Sequence, residues 1–140
     1  MKLDCPMPVC NDTGKLVLRL TVAGMMLLHG IAKLSGSGME GIIGMIEGVG
    51  LPGIIAYGVI LGEVVAPLMM IAGFRSRIAA VLMAGTMVVA IGLAHMGDVF
   101  ALNAYGGWAI ELQMFFLLNA VAVFFLGAGK FAVSKGNSWD

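Results

Sequence analysis

Six ionisable side chains stand within or at the ends of strongly apolar runs: Arg19, His29, Lys33, Glu63, His95 and Glu111. Glu63 is the most telling. It sits near the middle of the run from Gly53 to Phe74, where only Tyr57 and the helix-breaking Pro67 otherwise interrupt apolar residues and glycine. A carboxylate at such depth in a bilayer costs about 2.5–3.5 kcal/mol on insertion scales, so something must pair with it or use it. Imidazoles exchange protons near neutral pH, and a buried carboxyl group is a second proton site. His29, His95 and Glu63 are therefore the candidate proton-handling (catalytic) residues. Arg19, Lys33 and Glu111 are the candidates for holding a ligand.

Steps of three and four along the first apolar run give Arg19, Val22, Met26, His29 and Lys33, which is one face of a helix. Lipid would not accept that face, so it must look into a bundle. The run around Glu63 contains Gly58 and Gly62, a pair of small residues four apart that favours close helix packing. Pro67 cannot donate a backbone N–H to the carbonyl a turn earlier, which belongs to Glu63 itself.

The elements that must position these groups follow from hydropathy. The chain has 140 residues, 60% of them hydrophobic and only 11% charged. Soluble domains carry about 25% charged residues, so the membrane is the solvent here. The reading is an all-α transmembrane four-helix bundle, with spans at about 15–34, 53–74, 78–95 and 108–126. A short amphipathic helix, Met39 to Val49, lies between the first two spans at the interface. Residues 1–14 and 127–140 read as polar tails flanking one membrane domain, 15–126. The first span contains Arg19, His29 and Lys33, which is unlike a cleavable signal and reads as a retained signal-anchor. Cys5 and Cys10 are the two cysteines. Their four-residue separation does not fit the usual metal or redox pair, and they read as an incidental thiol pair. No metal site is assigned. Two histidines with Met25, Met26 and Met96 form a conceivable Cu(I) set, which is a minor reading beside packing.

Four spans place both ends of the chain on one side. Lys2, Lys15, Arg75, Arg77, Lys130 and Lys135 fall on that side and Lys33 on the other, so the positive-inside rule puts both termini in the cytoplasm. Depth then brings His29, Lys33, His95 and Glu111 to the outer end, with Glu63 roughly 15 Å in from that face by helical rise. Arg19 lies nearer the cytoplasmic side, either reaching toward Glu63 or extending to the headgroups. Zero formal net charge gives no support for a nucleic-acid partner.

The runs Leu18-Arg19-Leu20 and His29-Gly30-Ile31-Ala32-Lys33, then Gly62-Glu63 with Gly73-Phe74-Arg75, and Glu111 opening the last span, resemble the DoxX family of small four-span membrane proteins. The resemblance covers roughly Lys15 to Leu126. It implies a bundle of the bacterial inner membrane, with some members linked to quinone-coupled oxidation of thiosulfate and to complexes that handle thiols and oxidants. The expected function is a redox-associated accessory subunit that binds a quinone-like molecule in a polar pocket near the periplasmic face. No haem, flavin or iron–sulfur motif stands in the chain, so electrons would come from a redox partner protein. The expected partners are the lipid bilayer, that redox protein and further copies of the chain. The alternative is a non-enzymatic scaffold, assembly factor or small-solute carrier.

Overall fold

The structure, a computed structural model, describes residues 7–35 and 37–140. Among the described residues the fold is all-α, with five helices: α1 Met7–Leu34, α2 Gly38–Gly48, α3 Gly53–Ala72, α4 Ser76–Ala94 and α5 Glu111–Leu126. Three of them, α1 (from Cys10), α3 and α4, are long and apolar enough to cross a membrane. The last, α5, has 16 residues, or about 24 Å of helix at 1.5 Å per residue.

The buried core is a narrow seam of small and flexible side chains. Ala23 and Met26 of α1 meet Ala66 and Met70 of α3, Ala79, Ala80 and Met83 of α4, and Phe116 and Ala120 of α5. Bulky apolar residues such as Leu28, Leu68, Val88, Leu118 and Phe125 point outward. That inversion suits a bundle whose outside is lipid, where small residues at the seam let backbones approach closely.

Two glycines set the closest approaches. An ideal Cβ on Gly30 would lie 2.2 Å from the Glu63 carbonyl oxygen, so α1 packs directly on the α3 backbone there. An ideal Cβ on Gly62 would meet the Thr86 hydroxyl, so α4 packs on the opposite side of the same stretch. By contrast, nothing lies within 4 Å of the space a Cβ would take on Gly58. The expected small-residue pair thus works through Gly62 alone.

At this pinch α3 is not a regular α-helix. It begins as a 3₁₀ turn, Gly53–Tyr57, and widens to a π-helical turn at Leu61–Val65, where the Ala66 N–H bonds back to the Leu61 carbonyl. Pro67 follows in the first turn of the regular segment Ala66–Ala72. A proline breaks the i→i−4 ladder, and π-turns commonly absorb such breaks. Gly73 and Arg75, both left-handed, then turn the chain into α4 within three residues.

The ends of the chain differ from their sequence-level reading. Helix α1 starts at Met7, so Cys10 and Asp12 are helical where a polar tail was expected. A proline at position 8 is compatible with a first turn, where its missing N–H has no helical acceptor to serve. Cys10 is in a disulfide and is not a free thiol, while Cys5 lies outside the described residues. The C-terminal segment 127–140 is not a solvated tail either. Its Val133 and Ser134 N–H groups bond the carbonyls of Ala72 and Gly73, and the Arg77 N–H bonds the Trp139 carbonyl. The Lys130 N–H bonds the Asp12 carboxylate. Arg19, fully buried, donates to the carbonyls of Met70, at 3.2 Å, and of Phe131. It clamps α1, the end of α3 and the folded-back segment together.

Two predictions follow from these contacts. Gly30→Ala and Gly62→Ala should each destabilise the protein by about 1–3 kcal/mol through overpacking. Gly58→Ala should leave stability unchanged or raise it by up to about 1 kcal/mol. Thermal unfolding of the three variants in one detergent checks this. Arg19→Lys keeps the charge but loses the planar fork that spans two carbonyls. Losing a hydrogen bond of a charged group costs about 1.5–3 kcal/mol, so segment 127–140 should be cut about tenfold faster or more by limited proteolysis.

Candidate ligand-binding site

Helices α1, α3, α4 and α5 line an open cavity of about 110 Å³ at the bundle end opposite the Arg19 clamp. His29 and Lys33 line it from α1, Glu63 from the π-turn of α3, His95 from the end of α4, and Gln113 from the first turn of α5. Met26, Met87, Ala90, Leu112 and Phe116 supply apolar walls.

The central contact joins Lys33 to Glu63. The ammonium nitrogen lies 2.5 Å from Oε1 of a carboxylate that is only 1% exposed, while the lysine side chain is 34% exposed. Local structure explains the meeting. Gly30 and Lys33 are three apart on α1 and so share a face. Gly30 brings the backbones together at Glu63, and Lys33 then reaches the carboxylate one turn along. The second oxygen of Glu63, Oε2, is buried and has no hydrogen-bond partner among the described residues.

A second polar chain crosses the cavity. Asp98, in the 3₁₀ turn Met96–Asp98 after α4, places Oδ2 3.5 Å from Nδ1 of His95. The other imidazole nitrogen, Nε2, lies 2.9 Å from Nε2 of Gln113. Oε1 of Gln113 is buried and likewise has no partner among the described residues. His29 sits at the exposed rim, edge-on to Phe116 with ring centroids 5.6 Å apart.

Four of the six residues singled out in the sequence therefore line one cavity: His29, Lys33, Glu63 and His95. The other two do not. Arg19 is committed to backbone carbonyls at the far end and neither reaches Glu63 nor extends outward. Glu111 is exposed and faces the preceding loop, with the Asn103 amide 3.4 Å from its carboxylate. The reason is phase. The final helix starts at Glu111, and each residue turns about 100°, so a residue two places on faces the other way. That residue is Gln113, which the sequence reading missed. Its neutral amide raises no desolvation alarm comparable to a charge, although it is a polar interruption in that apolar helix alongside Asn119.

Among the described residues no group of three or more His, Cys, Asp and Glu side chains is placed to hold a metal ion. Of the methionines in the minor copper reading, Met25 and Met96 are exposed and only Met26 lines the cavity, joined there by Met87.

Residues 14–96 match the DoxX family profile. The chain is also similar to a protein of Bacillus subtilis (strain 168) named "Putative oxidoreductase CatD", with 29% identity over 117 residues, covering 84% of this chain and 81% of that one. No solved structure matches.

Proposed function

This chain belongs to the DoxX family of membrane proteins, and from that premise we propose that it is a redox accessory subunit that binds the ring of a quinone-like carrier in the cavity above Glu63. One observation carries the reading: a buried carboxylate, two imidazoles, an amide and an ammonium from separate helices share one small, otherwise apolar cavity. Such a mixture suits a small carrier, since apolar walls hold a ring while a few placed polar groups orient it. At about 110 Å³ the cavity is smaller than the void of about 150 Å³ that takes benzene, so it receives the polar edge of a ring whose remainder and tail stay outside it. The related protein's printed name, an oxidoreductase, supports the same class. Glu63 and the imidazoles supply proton sites, and electrons come from a partner protein.

A second reading has a specific observation of its own. The Lys33–Glu63 contact is also what a purely structural staple would look like, and a scaffold would need nothing more. Removing one partner of a buried pair costs about 3–5 kcal/mol, whereas replacing both by apolar residues of similar volume is often neutral. The double variant Lys33→Met with Glu63→Met separates the two readings. It should fold, expel co-purifying quinone in mild detergent and abolish quinone-dependent activity. A double variant that keeps both bound quinone and activity sinks the carrier reading and favours the scaffold.

We further propose that α5 completes a fourth crossing in the bacterial inner membrane, with both termini cytoplasmic and the cavity toward the outside. Contacts of Asp12 with Lys130 and of Arg77 with residues 138–139 gather both ends of the chain at one bundle end, as an even number of crossings requires. The excess of Lys and Arg at that end supports the cytoplasm. The disulfide at Cys10 argues the other way, because disulfides persist in oxidising compartments. A C-terminal fluorescent-protein fusion should be bright and a C-terminal alkaline phosphatase fusion inactive. The reverse pattern would invert the orientation.

A further inference from the structure

We propose that the loop between α4 and α5, residues 99–110, is a lipid-contact element. It seats Phe100, Leu102 and Tyr105 in the interfacial layer of the bilayer on the cavity side. This rests on the reading of α5 as a fourth crossing and names the surface that holds that crossing at its depth.

The loop reads Val-Phe-Ala-Leu-Asn-Ala-Tyr-Gly-Gly-Trp-Ala-Ile, without a single charged residue. Phe100 is 99% exposed, Tyr105 98% and Leu102 72%. Among the described residues nothing covers these side chains, and water is a poor solvent for them.

The loop is also held in shape by its own hydrogen bonds. The Asn103 side-chain oxygen accepts from the N–H groups of Tyr105 and Gly107. Leu102 and Trp108 pair as an antiparallel bridge. Around it the Asn103 N–H donates to the Gly107 carbonyl, and the Ala109 N–H donates to that of Ala101. The Trp108 indole N–H donates to the Val99 carbonyl at 2.7 Å. Polar atoms that bond one another can approach lipid without leaving their hydrogen bonds unmade, and the rest meet water at the headgroups. Trp and Tyr concentrate at that level of a bilayer.

Depth selects lipid as the occupant. Helix α5 has 16 residues, about 24 Å at 1.5 Å per residue, against a hydrocarbon core of roughly 30 Å. Residues flanking α5 must supply the difference. Beyond its far end, segment 127–140 carries Lys130, Lys135 and Asp140 and is tied to the turn before α4. The connection 35–52, at the same bundle end as the loop, carries Glu40 and Glu47. The uncharged loop is the flank that lipid accepts.

Trp108 reports on the loop once Trp139→Phe removes the other indole. The full chain is reconstituted at high lipid-to-protein ratio in phosphatidylcholine vesicles. Their lipids carry a nitroxide either near the carbonyl end of the acyl chain or near its methyl end. Trp108 fluorescence should be quenched more by the shallow nitroxide than by the deep one, and hardly by aqueous iodide. Adding Phe100→Asp and Tyr105→Asp should abolish the lipid quenching and open Trp108 to iodide. Thermal unfolding should not change, because neither side chain packs against the protein. Iodide quenching without nitroxide quenching before those substitutions places the loop in water and overturns the inference. Shielding from both quenchers that fades as the protein is diluted in lipid overturns it in favour of a second copy. Nitroxide quenching that survives both substitutions overturns the assignment to these side chains. Fluorescent-protein fusions at each end of the chain test the crossing separately. Matching signals support an even number of crossings, whereas one bright and one dark end overturns the fourth crossing itself.

Discussion

The bundle depends on satisfying one carboxylate at a depth where water cannot. Glu63 solves this with two contacts to the same face of α1: Gly30 against its carbonyl oxygen and Lys33 against its side chain. Backbone and side chain of a single residue are thereby fixed to one neighbour, which sets the register of α1 on α3 far more tightly than the alanine and methionine seam could. On the other side Gly62 admits Thr86 of α4. The helix pinned in this way is the one with a π-turn and a proline, and Gly62, Glu63 and Pro67 of that irregular stretch are buried.

An ion pair of this kind is weak evidence for stability, because the cost of removing two charges from water consumes most of their attraction. It is better evidence for geometry. The pair occupies one oxygen of Glu63 and leaves the other buried without a partner among the described residues. A similar logic runs through Asp98, His95 and Gln113, where each hydrogen bond decides the orientation of the next group. The result is a small cavity with a defined polarity, built from residues that stand 84 positions apart between His29 and Gln113.

Much of this was legible from sequence. Charged and imidazole groups in apolar runs announce themselves by their cost, and helical rise alone assigns His29, Lys33 and His95 to one end with Glu63 below. What was not legible had no such signal. Gln113 is neutral, and it supplants Glu111 because two residues of helical rotation, about 200°, turn the two side chains to different faces of α5. Arg19 could not be placed because its partners are carbonyl groups, which every residue carries. The docking of residues 127–140 was hidden for the same reason: main-chain hydrogen bonds leave little trace in composition. The early start of α1 is obscured by Pro8, which a first turn tolerates.

The clamp at Arg19 has a consequence for how the protein is made. One of its carbonyl partners, Phe131, lies 112 residues downstream. During synthesis α1 is complete before either carbonyl partner of Arg19, first Met70 and much later Phe131, has been made. A chain that ends before residue 131 leaves the guanidinium with the Met70 carbonyl alone. The last segment to be made thus completes the bonding of a group that lies near the beginning of the chain.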